Sequence, residues 1–227
     1  MTTLANEVRE YQICTKCIMD TTDPAITFNE GACNHCNYFD NNIVPNWFPH
    51  TGAEKLESMV AEIKEYGKDK EYDCIIGLSG GVDSSYVAIK VVELGLQPLV
   101  VHVDAGWNSE LAVQNIEKIV SELGLDLVTH VVNWEEMKDL QLAFLKSHVA
   151  NQDVPQDHAF FAALYGYAEK AKIKYVISGG NFATEGILPQ SWGYDAMDSR
   201  HLTSIHKKFG KKKLKSFPVV GFFKYHF

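Results

Sequence analysis

Apolar positions follow two periods along the chain. Short continuous runs at Asp73–Leu78, Pro98–Val103, Asp126–Val132 and Lys174–Ser178 have the length expected of strands buried on both faces. Between them, Val87, Val91 and Leu94, and then Ala112, Ile116, Ile119, Val120 and Leu123, recur at three- and four-residue spacing, as one face of a helix does. Gly95 and Gly124 supply their stops. A further helix is expected from about Thr51, with Thr51 as its cap, Leu56, Met59, Val60 and Ile63 on one face and Gly67 at its end. Two more are expected from Trp134 to about His148 and from Pro155 to about Ala171. Strands alternating with helices in this way predict right-handed βαβ units and so an α/β fold with a doubly wound, mainly parallel sheet. Before Thr51 neither period is sustained. Residues 1–50 are therefore expected to form a small separate module, 51–70 a linking helix and 71–227 the sheet domain.

The leading module has its own signature. Cys14 and Cys17 are followed, after fifteen residues, by Cys33 and Cys36. Two C-x-x-C turns at this spacing aim four thiolates at one tetrahedral metal. With all four positions filled by protein, a structural zinc is expected, iron at the same four cysteines being the alternative. His35, between two ligands, could substitute for one of them but is expected on the surface. Asp23-Pro24, Asn29-Glu30-Gly31 and Pro45 mark turns. Cys74, the remaining cysteine, falls within the first strand and reads as packing.

The first strand runs into Ser79-Gly80-Gly81-Val82-Asp83-Ser84-Ser85 and opens directly into a helix. Backbone N–H groups and hydroxyls converging on a helix start make a phosphate site. The lysine of a Walker A loop is absent. Asp83 would repel bare phosphate unless Mg²⁺ lay between, so the loop suits a magnesium-complexed polyphosphate. Ser-Gly-Gly-Val-Asp-Ser resembles the signature of the PP-loop ATP pyrophosphatases, which release pyrophosphate from ATP and leave AMP on an acceptor.

In open α/β sheets ligands sit outside the carboxyl ends of the strands, so residues following the other strands should share the same crevice. These are His102-Val103-Asp104-Ala105-Gly106-Trp107-Asn108-Ser109 and Gly179-Gly180-Asn181-Phe182-Ala183-Thr184-Glu185. Asp104 suits metal or ribose, or else a loop or helix cap; Trp107 suits an aromatic wall for the ligand or, more commonly, packing; and His102 suits a satisfied internal position. Gly179 and Gly180 permit close approach to a flat ligand such as adenine, with Asn181 and Glu185 projecting toward it. Glu185 would orient a nucleophile or bind metal, or else serve as a first-turn carboxylate favoured by the helix dipole. Asp157 and His158 start a helix at a place from which either could reach the crevice, but capping and solvent exposure are expected. Trp192, Tyr194, Asp195, Asp198 and Arg200 form a polar and aromatic stretch suited to an acceptor.

Composition narrows the classes. The 227 residues are 46% hydrophobic and 22% charged, enough for one α/β domain and an appendage. No run reaches the ~18 apolar residues of a membrane span, and Met1–Glu10 lacks the apolar core of a signal peptide, so a cytosolic protein is expected. With 21 basic and 29 acidic side chains, the net charge of −8 argues against a nucleic-acid backbone as main partner. The one basic cluster, Lys207 to Lys215, reads as a solvated turn and helix end.

Taken together, the paired C-x-x-C turns, Ser79–Ser85, His102–Ser109 and Gly179–Glu185 resemble the N-acetyl sugar amidotransferases of bacterial surface-polysaccharide and lipopolysaccharide O-antigen biosynthesis, over essentially the whole chain. The resemblance implies an enzyme that adenylates the acetamido oxygen of a nucleotide-linked or otherwise activated N-acetyl sugar. Ammonia from a separate glutaminase, working with a barrel-shaped synthase-like subunit, would then form an acetamidino sugar with release of AMP and pyrophosphate. It assigns Asp83 and Asp104 to metal, Ser79, Gly80, Gly81, Ser84 and Ser85 to pyrophosphate, and Gly179 and Gly180 to the AMP moiety. A tRNA-thiolating PP-loop enzyme and a non-catalytic ATP-binding regulatory subunit are the alternatives. Members of the resembled family are generally longer. The closing apolar run Phe217–Phe227 is therefore expected to be buried by residues beyond it or by a partner.

Overall fold

The computed structural model describes residues 9–180, 182–185, 189 and 195–226. These fall into two compact units, one formed by the chain up to Thr51 with the segment 182–189, the other by Gly52–Gly180 and the chain from Asp195 onward. The first unit contains a minimal hairpin, β1 (Phe28–Asn29) paired antiparallel with β2 (Ala32–Cys33), followed by α1 (Asn34–Tyr38). Both turn residues between the strands have positive φ, Glu30 at 50° and Gly31 at 84°. That is the conformation whose twist suits a two-residue hairpin.

The second unit begins with α2 (Ala53–Gly67) and continues through β3 (Cys74–Gly77), α3 (Val82–Glu93), β4 (Pro98–Asp104), α4 (Glu110–Leu123) and β5 (Leu127–Val131). Two helices, α5 (Trp134–Ser147) and α6 (Val154–Lys170), precede β6 (Tyr175–Ile177). After the one-turn α7 (Phe182–Glu185) of the first unit come α8 (Ser199–Phe209) and α9 (Phe222–His226). The four strands are all parallel, in the order β5-β4-β3-β6. The expected α/β class and parallel sheet are thus present.

Alternation along β3 and β4 gives the sheet two apolar faces. Ile75, Leu99, Val101 and Val103 pack with Met137, Leu140 and Phe144 of α5, Ala159 and Ala163 of α6 and Leu202 of α8. Cys74, Ile76, Leu78 and Val100 pack on the other face with Val60 and Ile63 of α2, Ala88 and Val91 of α3 and Ile116 of α4. Cys74 is fully buried, and burial, with the neighbouring Asp73, pushes its thiol well above the usual range. The stops at Gly95 and Gly124 adopt positive φ, 73° and 62°. In each case the next residue's N–H reaches back to the helix, Leu96 to Val91 and Leu125 to Val120, both at 3.0 Å.

Several local expectations are corrected. Thr51 is not the cap of α2: Gly52 takes that place with no side-chain hydrogen bond, and Glu54 in the first turn complements the helix dipole instead. His158 does not cap α6 in solvent. It is fully buried, its Nδ1–H donating to the Ala196 carbonyl at 2.7 Å and its Nε2 accepting from the Val220 N–H at 3.1 Å. The closing apolar run is covered in part by the chain itself, Phe217 entering the core beside α6 and Val220 packing with Ala162 and Met197. Its approach is fixed by two carboxylates of α5. Glu136 accepts the N–H groups of Lys215, Ser216 and Phe217 at 2.9, 3.0 and 2.8 Å, and Asp139 those of Lys211 and Lys212 at 2.8 and 2.9 Å. The basic cluster therefore rides on a backbone held from below. Lys207 and Lys208 occupy the last turn of α8, and Lys212 pairs with Glu135. No helix among the described residues is long and apolar enough to cross a membrane.

Candidate nucleotide site and cysteine cluster

The strand order reverses between β3 and β6, so the two strands send their following loops in opposite directions and open a crevice between them. The loop after β3 is shaped by its glycines. Gly80 has φ of +78°, and a Cβ there would lie 2.3 Å from the Ala112 carbonyl oxygen, so no side chain fits. Asn115 donates to the Gly80 carbonyl at 3.0 Å and fixes the turn. Gly81 then starts α3 without a side-chain cap, leaving the amides of the first turn to other partners. The serines gather around this start. The hydroxyls of Ser79 and Ser84 are 3.0 Å apart, Ser84 Oγ accepts from the Ser79 N–H at 3.2 Å, and Ser85 Oγ donates to the Gly81 carbonyl at 2.7 Å. Uncapped amides beside hydroxyls form a cradle for an anion. Asp83 is exposed in the first helical turn, where a carboxylate suits a bridging cation.

A crevice of about 250 Å³ runs from this loop. Ser79 and Ser84 line it together with Val101 and Val103 of β4, Phe160, Phe161 and Leu164 of α6, and Ser178 and Gly179 after β6. Gly179 is where two backbones meet: a Cβ would sit 3.2 Å from the carbonyl carbon and oxygen of Asp83. The absent side chain thus lets the β6 loop pack against the start of α3. His102 is internal as expected, with Nδ1–H donating to the Leu78 carbonyl at 2.9 Å and Nε2 accepting from Asn108 Nδ2 at 3.0 Å. Asp104 is half-buried and accepts the Gly106 N–H at 2.9 Å, and Trp107 packs edge-on against Trp134, with centroids 5.2 Å apart. Glu185 is exposed at the end of α7 in the first unit. Asn181, Trp192 and Tyr194 lie outside the described residues.

Asp157 takes the less expected of the two places the sequence allowed it. It lines the crevice, half-buried, and burial together with the neighbouring Asp153 pushes its carboxyl above the usual range. The signal was present: Asp157, Phe160, Phe161 and Leu164 follow the i, i+3, i+4, i+7 spacing of a single helix face.

In the first unit the ligand sulfurs of Cys14, Cys17, Cys33 and Cys36 all lie within 4.8 Å of one another. Cys14 Sγ accepts N–H bonds from Lys16 at 3.3 Å and Cys33 at 3.2 Å, and Cys33 Sγ accepts from Cys36 at 3.4 Å. Burial opposes the thiolate at Cys14, yet the N–H groups of Lys16, Cys33 and Cys17 bring it down to about 6. Four converging sulfurs supported by N–H donors fit a tetrahedral thiolate-bound ion such as zinc. His35 is not a surface side chain as expected. Its Nε2 sits 2.8 Å from the carboxylate of the buried Asp23, tying α1 to the turn at Asp23-Pro24.

The sequence model of the NAD synthase family matches residues 54–219. The tRNA(Ile)-lysidine synthase of Chlamydia pneumoniae is 26% identical over 133 residues, which are 58% of this chain and 38% of that protein. The chain thus spans well under half the length of that curated relative. Among solved structures, NMN synthetase from Francisella tularensis is 22% identical with a TM-score of 0.42, covering 60% of this chain and 56% of the other. The ammonia-dependent NAD synthetase from Campylobacter jejuni, in complex with nitrate, is 18% identical with a TM-score of 0.43, over 67% and 70% of the two chains. The glutamine-dependent NAD⁺ synthetase from Acinetobacter baumannii, in complex with ADP, is 20% identical with a TM-score of 0.46, over 61% and 27%. With its family match spanning most of the sheet unit and its loop of glycines and serines at the switch point of that sheet, the chain belongs to the NAD synthase family of PP-loop nucleotide enzymes.

Proposed function

We propose that the chain is an ATP-dependent amidotransferase that adenylates the acetamido oxygen of an activated N-acetyl sugar and exchanges it for ammonia-derived nitrogen. The observation that carries the ATP half of this reading is the serine-lined start of α3 opening into an apolar crevice at the strand-order switch. Membership of the NAD synthase family supports the nitrogen-transfer half. The sugar acceptor rests on the sequence resemblance carried by the paired cysteines and the three strand-end stretches.

An amide oxygen is a poor leaving group. Attack of that oxygen on the α-phosphorus of ATP breaks the α–β bond, expels pyrophosphate and leaves an O-adenylated imidate. Ammonia adds to the imidate carbon, and AMP departs carrying the former amide oxygen as the amidine forms. The amides and hydroxyls at Ser79, Gly81, Ser84 and Ser85 receive the charge developing on pyrophosphate. Magnesium, when bound, supplies further neutralisation of that charge, and Asp83 and Asp104 are the carboxylates suited to hold it. Gly179 and Gly180 border the AMP moiety. Ammonia comes from a separate glutaminase and its barrel-shaped companion subunit, and the reaction takes place in the cytosol. Cys14, Cys17, Cys33 and Cys36 would hold a structural zinc that ties the N-terminal unit together.

The similarity to a tRNA(Ile)-lysidine synthase favours a second reading, adenylation of a tRNA base, against which the net charge of −8 weighs. Product analysis by mass spectrometry separates the two. With ATP, Mg²⁺, ammonium and a panel of nucleotide-linked N-acetyl sugars, the expected product is a sugar lighter by about one mass unit together with AMP and pyrophosphate. AMP formed only when tRNA is added would replace the sugar reading with the second one.

A further inference from the structure

Two groups of lining residues stand out in the crevice, and the role inferred from them rests on its reading as the ATP site. Ser79 and Ser84 belong to the phosphate loop. Phe160, Phe161 and Leu164 form an apolar helix face, and Asp157 on that same face is the one acidic side chain among the lining residues. Among the described residues no hydrogen bond or ion pair satisfies its carboxyl, although it is half-buried. The other polar ring in the wall is already spent: His102 has both nitrogens engaged, with Leu78 and with Asn108.

A half-buried carboxyl on an apolar wall presents acceptor oxygens to whatever ligand lies in the crevice. Phosphate is excluded there by like charge. A flat apolar ring with an N–H donor on its rim fits both the aromatic face and the acceptor oxygens. A nucleotide whose phosphates lie at the serine loop carries such a ring when its base is an aminopurine. We propose that Asp157 is the base-specificity residue of the nucleotide site, accepting a hydrogen bond from the 6-amino group of the adenine of ATP. Phe160 and Phe161 supply the apolar surface against which the ring lies.

Calorimetric binding of Mg-ATP and of purine riboside triphosphate, which has hydrogen in place of the 6-amino group, tests this without any acceptor. The wild-type chain is expected to bind ATP about tenfold more tightly than the deamino analogue, the scale of one hydrogen bond to a charged or polar acceptor. Asp157→Leu is expected to bind the two nucleotides within about twofold of each other, whereas Asp157→Asn keeps part of the preference because its amide oxygen still accepts. Circular dichroism checks that each variant is folded. Absence of any preference in the wild-type chain overturns the assignment, and this arm needs no variant. A folded Asp157→Leu that keeps the full preference overturns it as well. Either of these results leaves the ATP reading standing, whereas failure of every form to bind ATP removes that reading and the role of Asp157 with it.

Discussion

The two units hold themselves together by different physics. In the N-terminal unit the buried apolar cluster consists of Cys14, Ile26 and Cys33, so its core is largely sulfur, and its hairpin has two residues per strand. In the sheet unit both faces of β3 and β4 are buried under helices, and side chains as large as Phe144, Met137 and Leu140 have no exposure at all. A short segment without enough apolar area to offset the entropy of ordering needs a cross-link, and the four converging cysteines are placed to form one around a bound ion. A sheet covered on both sides needs none. Stability should therefore respond to metal in one unit and to cavity formation in the other.

The largest effect is expected from Cys33→Ser. Removing one of four ligands should reduce bound zinc from about one per chain to near none and unfold the N-terminal unit, structural zinc sites contributing on the order of 10 kcal/mol. Elemental analysis and limited proteolysis of the first fifty residues read this directly. The comparison breaks if the variant keeps a protease-resistant N-terminus. Next is Phe144→Ala, expected to cost the sheet unit about 3–5 kcal/mol in urea unfolding through lost burial and a residual cavity, with zinc content unchanged. A loss below about 1 kcal/mol would mean that the core collapses around the gap.

Asp83→Ala probes chemistry within the sheet unit. Formation of AMP should fall about a hundredfold, the scale for loss of one charge-stabilising group, while the urea midpoint stays where it was. Unchanged turnover would remove Asp83 from the account. The smallest effect concerns acid. Burial opposes ionisation of Glu136, but the N–H groups of Ser216, Phe217 and Lys215 outweigh it and hold its carboxyl below the usual value. Burial likewise opposes Asp139, and the N–H groups of Lys212 and Lys211 and the ring of His206 outweigh it. Both are ionised more readily folded than unfolded. Their contribution is complete above the unfolded carboxyl value of about 4 and is lost as pH falls through the lower folded values. Glu136→Gln should cost about 1–3 kcal/mol near neutrality and flatten the acid limb of the sheet unit's stability. An acid limb identical to that of the wild type would show that this carboxylate does not tie down the segment after α8.

Elements set by local pattern were legible before any coordinates. Continuous apolar runs and helical stripes place the sheet and its helices, with strand ends moved by about one residue. The two cysteine pairs do converge, and the Ser79–Ser85 turn does start a helix with its hydroxyls gathered. Side-chain direction was less legible where a polar residue opens a helix. Asp157 and His158 look alike as capping residues in sequence, yet adjacent helical positions differ by about 100°. One therefore turns into the crevice and the other into the core, against Ala196 and Val220. Their environments depend on segments some forty to sixty residues away, which no local period reports. His35 and Thr51 were misplaced for related reasons. The buried partner of His35 is a turn carboxylate twelve positions earlier, and α2 begins without the side-chain bond that would have made Thr51 its cap.

Oxygen tracing tests the central claim most directly. The enzyme is supplied with ATP, Mg²⁺, ammonium and nucleotide-linked N-acetyl sugars carrying ¹⁸O in the acetamido carbonyl, and the products are separated for mass analysis. Transfer of the label into AMP, in step with pyrophosphate release and amidine formation, is the predicted result, because the former amide oxygen leaves on the α-phosphorus. Cleavage to ADP and phosphate, or AMP that remains unlabelled while the amidine accumulates, would contradict the adenylated intermediate.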